Sequence, residues 1–248
     1  MANHKTCLDN VDINKRHSDG VLMGLQGMLS QRHSKCKSRP RAEFEAKNLG
    51  GSIVYRYVAR PNTLYLNMTN RCTNCCSFCV KNYSSGLSGY RLQLDREPSI
   101  IEICGELQHE IKESDSEVVF CGFGEPTMRL DMALELTRTI KKQYPHLKIR
   151  LNTDGLAQLR NKDRKVAKEL REAGMDSVSI SLNAESQEKY DLLCRPSLEG
   201  AYRAVLDFAR ECKRYLHHVT LTALDLEDID LSECRRIAKD LGCEFRVR

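Results

Sequence analysis

Apolar positions follow two alternating spacings along most of this chain. Short runs rich in β-branched, aromatic and aliphatic residues read as strands: Thr63–Met68, Glu117–Cys121, Leu147–Asn152, Ser177–Leu182, Val219–Leu224 and Glu244–Arg248. Between them, stretches with apolar residues three and four apart read as helices, at 98–114, 131–144, 162–173, 199–214 and 231–241. Gly174 and Gly242 follow two of these stretches and suit left-handed C-terminal caps, while Asp230 or Ser232 suits the start of the last. Strand followed by helix, repeated, predicts parallel strands with helical crossovers. Six strands and five intervening helices predict an α/β fold of one kind, a partial (β/α)6 TIM-like barrel that stays open. Functional groups are then expected at the C-terminal strand ends, where the loops converge on the mouth.

The first 50 residues break this pattern. They are polar, with one short apolar piece at 21–29 and a basic patch from Arg32 to Arg41. They are expected to form an appendage, unordered in part, before a main domain at 51–248. A chain of 248 residues with 41% hydrophobic content can bury one substantial core, which agrees with a single main domain. The net charge of +5 is spread along the chain, a mild preference for anionic partners. Twelve cysteines raise the alternative of a secreted disulfide scaffold, but such scaffolds are shorter and Met1–Cys7 carries no apolar signal core. A reducing, cytoplasmic setting is expected, and no apolar run approaches the roughly 18–20 residues of a membrane span.

The densest chemistry follows the first strand of the repeat, in Thr69-Asn-Arg-Cys72-Thr-Asn-Cys75-Cys76-Ser-Phe78-Cys79. So many thiols on one loop are poorly explained as core residues, because a loop is mainly solvated; metal ligation accounts for them better. The spacing admits three arrangements. Cys72, Cys76 and Cys79 give C-x3-C-x2-C, Cys72, Cys75 and Cys79 give C-x2-C-x3-C, and the two C-x2-C pairs could close on one zinc ion, with adjacent Cys75 and Cys76 straining that closure.

Other strand ends carry candidate ligand contacts beside plainer readings. Gly122-Phe-Gly124-Glu125-Pro is a strand-to-helix turn, or a place where glycines let the backbone approach a ligand. Asn152-Thr-Asp-Gly is good turn chemistry, and Ser181 and Asn183, two apart on a strand, point the same way and suit a shared ligand. Arg195 is a surface arginine or a carboxylate partner. Cys104, Cys194, Cys212, Cys234 and Cys243 form no second closely spaced set and read as core or helix-surface residues, and Cys7 and Cys36 lie too far apart to make a site.

C-x3-C-x2-C with an aromatic residue before the last cysteine resembles the cluster loop of the radical S-adenosylmethionine (SAM) superfamily, and Gly-x-Gly-Glu-Pro resembles its Gly-Gly-Glu motif with Phe123 inserted. The resemblance runs from about Thr63 to Arg248. It implies a radical SAM core fold with Cys72, Cys76 and Cys79 on three irons of a [4Fe–4S] cluster, the fourth iron being left for the amino and carboxylate groups of SAM. Cys75 becomes a non-ligand. Phe78 is implied to pack by the adenine, and Gly122, Gly124 and Glu125 to hold the amino group. Asn152, Ser181 and Asn183 are implied to reach the ribose and carboxylate, Arg195 to pair with the carboxylate, and Thr222 or Leu224 to touch adenine. The implied activity is reductive cleavage of SAM by an electron from a donor such as ferredoxin or flavodoxin, giving a 5′-deoxyadenosyl radical that takes hydrogen from a nucleotide, tRNA or small metabolite. The two motifs together look like the small radical SAM proteins associated with TatD-type hydrolases. The different-class alternative is an interaction module that binds zinc or a cluster without catalysis. The basic patch motivates weak contact with nucleic acid.

Overall fold

The computed structural model describes residues 50–248, so the appendage expected for 1–50, with its basic patch and Cys7 and Cys36, lies outside the described residues but for Gly50. Nine strands alternate with helices among them. β1 (Val54–Tyr57) runs antiparallel to β2 (Arg60–Leu66); a small hairpin, β3 (Gly86–Leu87) and β4 (Tyr90–Arg91), stands apart as its own sheet. Then come α1 (Ile100–Glu110), β5 (Glu117–Phe120), α2 (Leu130–Gln143), β6 (Lys148–Thr153), α3 (Ala157–Arg160), α4 (Val166–Ala173), β7 (Ser177–Ser181), α5 (Gln187–Cys194), α6 (Ala201–Tyr215), β8 (His218–Ala223), α7 (Leu231–Asp240) and β9 (Glu244–Val247). The main sheet has the order β1-β2-β5-β6-β7-β8-β9, parallel from β2 onward. Its six parallel strands are the six that the pattern predicts, in sequence order, as a partial barrel requires.

Strand alternation sorts the side chains. Leu64, Leu66, Val118, Phe120, Ile149, Leu151, Val178, Ile180, Val219 and Leu221 are fully buried in one core with apolar residues of the helices. The alternate residues, among them Arg150, Asn152, Ser179, Ser181 and Thr222, fall on the inner face. Local signals fix the helix ends. Ser99 and Glu102 make a reciprocal capping box at the start of α1, Gly174 ends α4 at φ 103°, and Asp230 accepts the Ser232 and Glu233 N–H groups at the start of α7.

Besides the β3–β4 hairpin, which had no expectation, three features depart from the expected elements. β1 is added at the edge; the stretch 162–173 is helical only from Val166, with the separate turn α3 before it; and α5 fills a segment that had no helical expectation. Among the described residues no helix is long and apolar enough to cross a membrane.

Candidate functional site

The cysteine loop leaves β2 and is held on both flanks before any ligand is considered. Its first half is bound to the loop after β5: Gly124 N–H donates to Thr69 O at 2.9 Å and Glu125 N–H to Arg71 O at 2.8 Å. A Cβ on Gly124 would stand 2.5 Å from both of those carbonyl oxygens, and one on Gly122 would stand 2.2 Å from Asn67 Oδ1. Both positions therefore need glycine because two loops touch there. The close backbone approach that these glycines permit is made here to the end of β2 and to the cysteine loop.

The second half of the loop is bound to the end of α5. Cys75 N–H donates to Cys194 O at 3.0 Å, Ser77 N–H to Leu193 O at 2.8 Å and Ser197 N–H to Thr73 O at 2.8 Å, while Asn74 and Pro196 make an isolated β-bridge. Asn74 Nδ2 also donates to the buried Tyr190 hydroxyl at 3.1 Å. Outside, Thr69 and Arg71 both bond Glu97, and Asn70 exchanges two bonds with the Leu94 backbone.

Cys72, Cys75, Cys76 and Cys79 are all free thiols and half-buried. Burial, followed by the Asp154 and Glu125 carboxylates, pushes the Cys72 thiol up. The Cys76 thiol is likewise pushed up by its hydrogen bond to Cys194 and by burial. In the metal-free protein the Cys72 and Cys76 sulfurs are therefore kept protonated, and a metal must displace those protons as it binds. Among the described residues no three His, Cys, Asp or Glu side chains converge as the ligands of a single ion must. Three soft, unbridged thiols on one pinned loop suit an iron–sulfur cluster, where each thiolate takes a different iron. The donor set fits the implied group.

Below the loop lies a buried polar network. Glu125 is only 3% exposed. Its Oε1 accepts Thr127 N–H at 2.9 Å, Thr127 Oγ1 at 2.5 Å and Thr153 Oγ1 at 2.8 Å, and its Oε2 accepts Asp154 N–H at 2.6 Å. The expected contact from Glu125 to an amino group is thereby narrowed to Oε2, since Oε1 is already filled. Arg160 forks onto Asp154 through bonds of 2.8 and 3.0 Å and also donates to Thr73 Oγ1 and Thr127 Oγ1. One guanidinium thus joins the loops after β2, β5 and β6.

The remaining expected contacts separate. Asn152 lies on the inner face with its Oδ1 accepting from Arg150 at 2.8 Å, and Ser181 ends β7 half-buried and level with Thr222. Asn183 corrects the expectation that it points with Ser181: β7 stops at Ser181, and Asn183 takes φ 63°, so strand alternation no longer applies. Its amide is buried, Nδ2 donating to Cys194 Sγ at 3.3 Å and Oδ1 accepting from Arg248 at 2.8 Å. Arg195 is exposed, in left-handed backbone at φ 43° as the cap of α5, and it meets the cysteine loop through its carbonyl, which accepts from Cys75 N–H. Phe78 packs half-buried against the core, Thr222 is buried with its hydroxyl on Ile180 O, and Leu224 stays half-exposed.

Sequence reasoning missed Asp154, Arg160, Tyr190, Cys194 and Arg248. Asp154 stood inside a motif read as a turn, and Cys194 was read as core, which its full burial satisfies while its sulfur still faces the loop. Arg160 had no local signal at all.

A profile of the Radical SAM superfamily matches residues 66–241. The chain is 28% identical over 182 residues to a probable GTP 3′,8-cyclase of Thermococcus kodakarensis, covering 73% of this chain and 53% of that protein. It is 32% identical over 142 residues to the GTP 3′,8-cyclase of Lactiplantibacillus plantarum, covering 57% of this chain and 39% of that protein. The chain thus spans about half, or less, of these relatives. Among solved structures, methylornithine synthase aligns over 75% of this chain and 52% of its own at TM-score 0.54 and 16% identity. The enzyme anSMEcpe with bound AdoMet and a peptide aligns over 74% and 49% at TM-score 0.53 and 17% identity. At these identities the likeness speaks for the fold.

Proposed function

The chain belongs to the radical SAM superfamily, and on that premise we propose that it binds a [4Fe–4S] cluster through Cys72, Cys76 and Cys79 and cleaves SAM reductively to begin a hydrogen abstraction. Enzymes of this family use that cluster and SAM. When bound, they supply one electron to the sulfonium and a 5′-deoxyadenosyl radical that removes hydrogen from substrate. The observation that carries the proposal is the interlocking of the cysteine loop with Gly122–Glu125, two motifs at neighbouring parallel strand ends joined by backbone bonds.

This chain's own residues supply position and enclosure. Cys75 uses its N–H to dock the loop on α5, which turns the backbone of that residue toward the helix and leaves its neighbours to ligate. Glu125 and Arg160 hold the loops after β2, β5 and β6 in register, and Ser181 and Asn152 offer polar side chains to SAM from the inner face. An external one-electron donor such as ferredoxin or flavodoxin completes the requirement. The relatives' names favour a nucleotide among the candidate substrates, and the narrower likeness to TatD-associated proteins rests on the two motifs alone.

The test is anaerobic reconstitution, iron and sulfide counting, then dithionite reduction with SAM. About four irons per chain and formation of 5′-deoxyadenosine and methionine are expected. Cys75→Ala should keep the iron, while Cys72→Ala, Cys76→Ala or Cys79→Ala should lose it. A loaded protein that never cleaves SAM, or zinc in place of iron, defeats the proposal.

A further inference from the structure

The inner face of the sheet divides sharply by side-chain size. Toward β7 and β8 it carries Ser177, Ser179, Ser181, Thr220 and Thr222, short hydroxyl side chains that fill little space. On β9 the same alternation presents Glu244, level with Thr220, then Arg246, level with Thr222, followed by Arg248, whose N–H continues the ladder onto Ala223 O at 2.9 Å. Arg246 leans back across the hydroxyl floor to Ser179 Oγ at 3.5 Å, and Arg248 bonds Asn183 Oδ1 at 2.8 Å. Among the described residues neither arginine has a carboxylate within ion-pair distance. Arg150, on the same face, is by contrast held by Glu117 through bonds of 2.9 and 3.0 Å.

The surroundings are already cationic. Burial lowers the pKa of Arg246, and the nearby Arg150 and Arg60 charges lower it further; burial does the same to Arg248, whose neighbours are the thiols of Cys121, Cys76 and Cys194 as well as Arg246. Two guanidinium forks that form no ion pair among the described residues, beside a third that does, are an arrangement that an oxyanion relieves.

We propose that Arg246 and Arg248 bind an oxyanion, a phosphate or carboxylate, of the substrate that occupies the inner face. The remainder of that molecule then lies over the serine and threonine floor, and Arg248 sets its anionic end beside the cysteine loop. This substrate class rests on the radical SAM reading. The same oxyanion chemistry is carried by the carboxylate of SAM, so the test separates the two sources.

Inorganic pyrophosphate is titrated into the full-length protein by calorimetry at low salt and at 0.15 M salt, and SAM is titrated separately into the cluster-loaded protein, for wild type, Arg246→Gln, Arg248→Gln, Arg246→Lys, Arg248→Lys and the surface control Arg203→Gln. Each glutamine variant should weaken pyrophosphate by about tenfold, with the matching lysine variant between it and wild type and Arg203→Gln unchanged, while SAM affinity moves less than about threefold. Variants are compared only at matched circular dichroism and melting profiles; should a glutamine variant misfold, the lysine variant at the same position, Arg246→Lys or Arg248→Lys, carries the comparison. No pyrophosphate binding by wild type, equal binding by all variants, or a loss confined to SAM would each overturn the proposal. SAM cleavage with no pyrophosphate binding defeats this inference alone, whereas pyrophosphate binding without iron or SAM cleavage defeats the radical SAM reading and leaves an anion site.

Discussion

Glu125 carries four hydrogen bonds on two oxygens and is almost wholly removed from water. Burial and the neighbouring Asp154 carboxylate push it up to about 7 from an ordinary 4.5, against the pull of Arg160 and the Thr127 and Asp154 donors. A carboxyl raised on folding favours the folded state in its protonated form. That contribution is whole below its ordinary value and is lost as pH climbs through about 7. Glu125→Gln removes the ionisation but keeps an acceptor. From about pH 5 to about pH 8 the melting temperature of wild type should therefore fall relative to that of the variant; parallel curves would show that Glu125 does not titrate in this window. None of this could be read from Gly-x-Gly-Glu-Pro, which marks the position of the carboxylate but not its partners on β6. Asn183 was misjudged for a related reason: strand alternation was extended two residues past Ser181, where the backbone turns left-handed.

Five of the six parallel strands, β2 and β5 to β8, were legible because each carries an outward set of Leu, Val, Ile or Phe that is buried in the core, while β9 contributes only the half-buried Phe245 and was read from its alternation. β1 was not legible. Its Val54-Tyr-Arg-Tyr57 mixes aromatic and charged residues, and it is specified by pairing with β2 at the sheet edge. The helix α5 was hidden by its polarity, since only Tyr190 and Cys194 of its residues are buried; the Ser186 cap, which accepts Lys189 N–H, was the available signal. Both buried residues meet the cysteine loop, as does the Leu193 carbonyl beside them, so α5 serves as the loop's support. Tyr190→Phe tests this. It removes the acceptor of Asn74 Nδ2, in a side chain whose Oδ1 is already without a partner, at a cost of about 1–2 kcal/mol. At about 2–4 °C per kcal/mol for a domain of this size, the metal-free protein should melt a few degrees lower. Its cluster occupancy after reconstitution should also fall, and full occupancy with unchanged melting would detach α5 from the site.

At the scale of the whole molecule, the mouth is held by contacts between residues far apart in sequence, and a reading of local pattern could find the strands that approach it but not what ties them. Arg160 is the tie: Thr73, Thr127 and Asp154 come from three different loops, and Glu125 lies 3.8 Å away. It is also the cation that offsets two carboxylates buried next to each other, and burial and the Asp154 charge act on it in opposite senses, the net shift keeping it charged. Removing one partner from such a group is far more costly than the net worth of the pair, because the other charge is left stranded. Arg160→Met should therefore destabilise the protein by about 3–5 kcal/mol. If the cost is the stranded charge, Asp154→Asn in the same background should recover a large part of it, although Asp154→Asn alone destabilises. If it is lost packing, the two changes should add, as independent sites do. Urea unfolding of the four proteins in the metal-free form separates these outcomes. A recovery in the double variant would mean that the loops are set by electrostatics before any cluster arrives, so that the cysteines are presented together by the fold; strict additivity would leave the ordering of the loop to the metal.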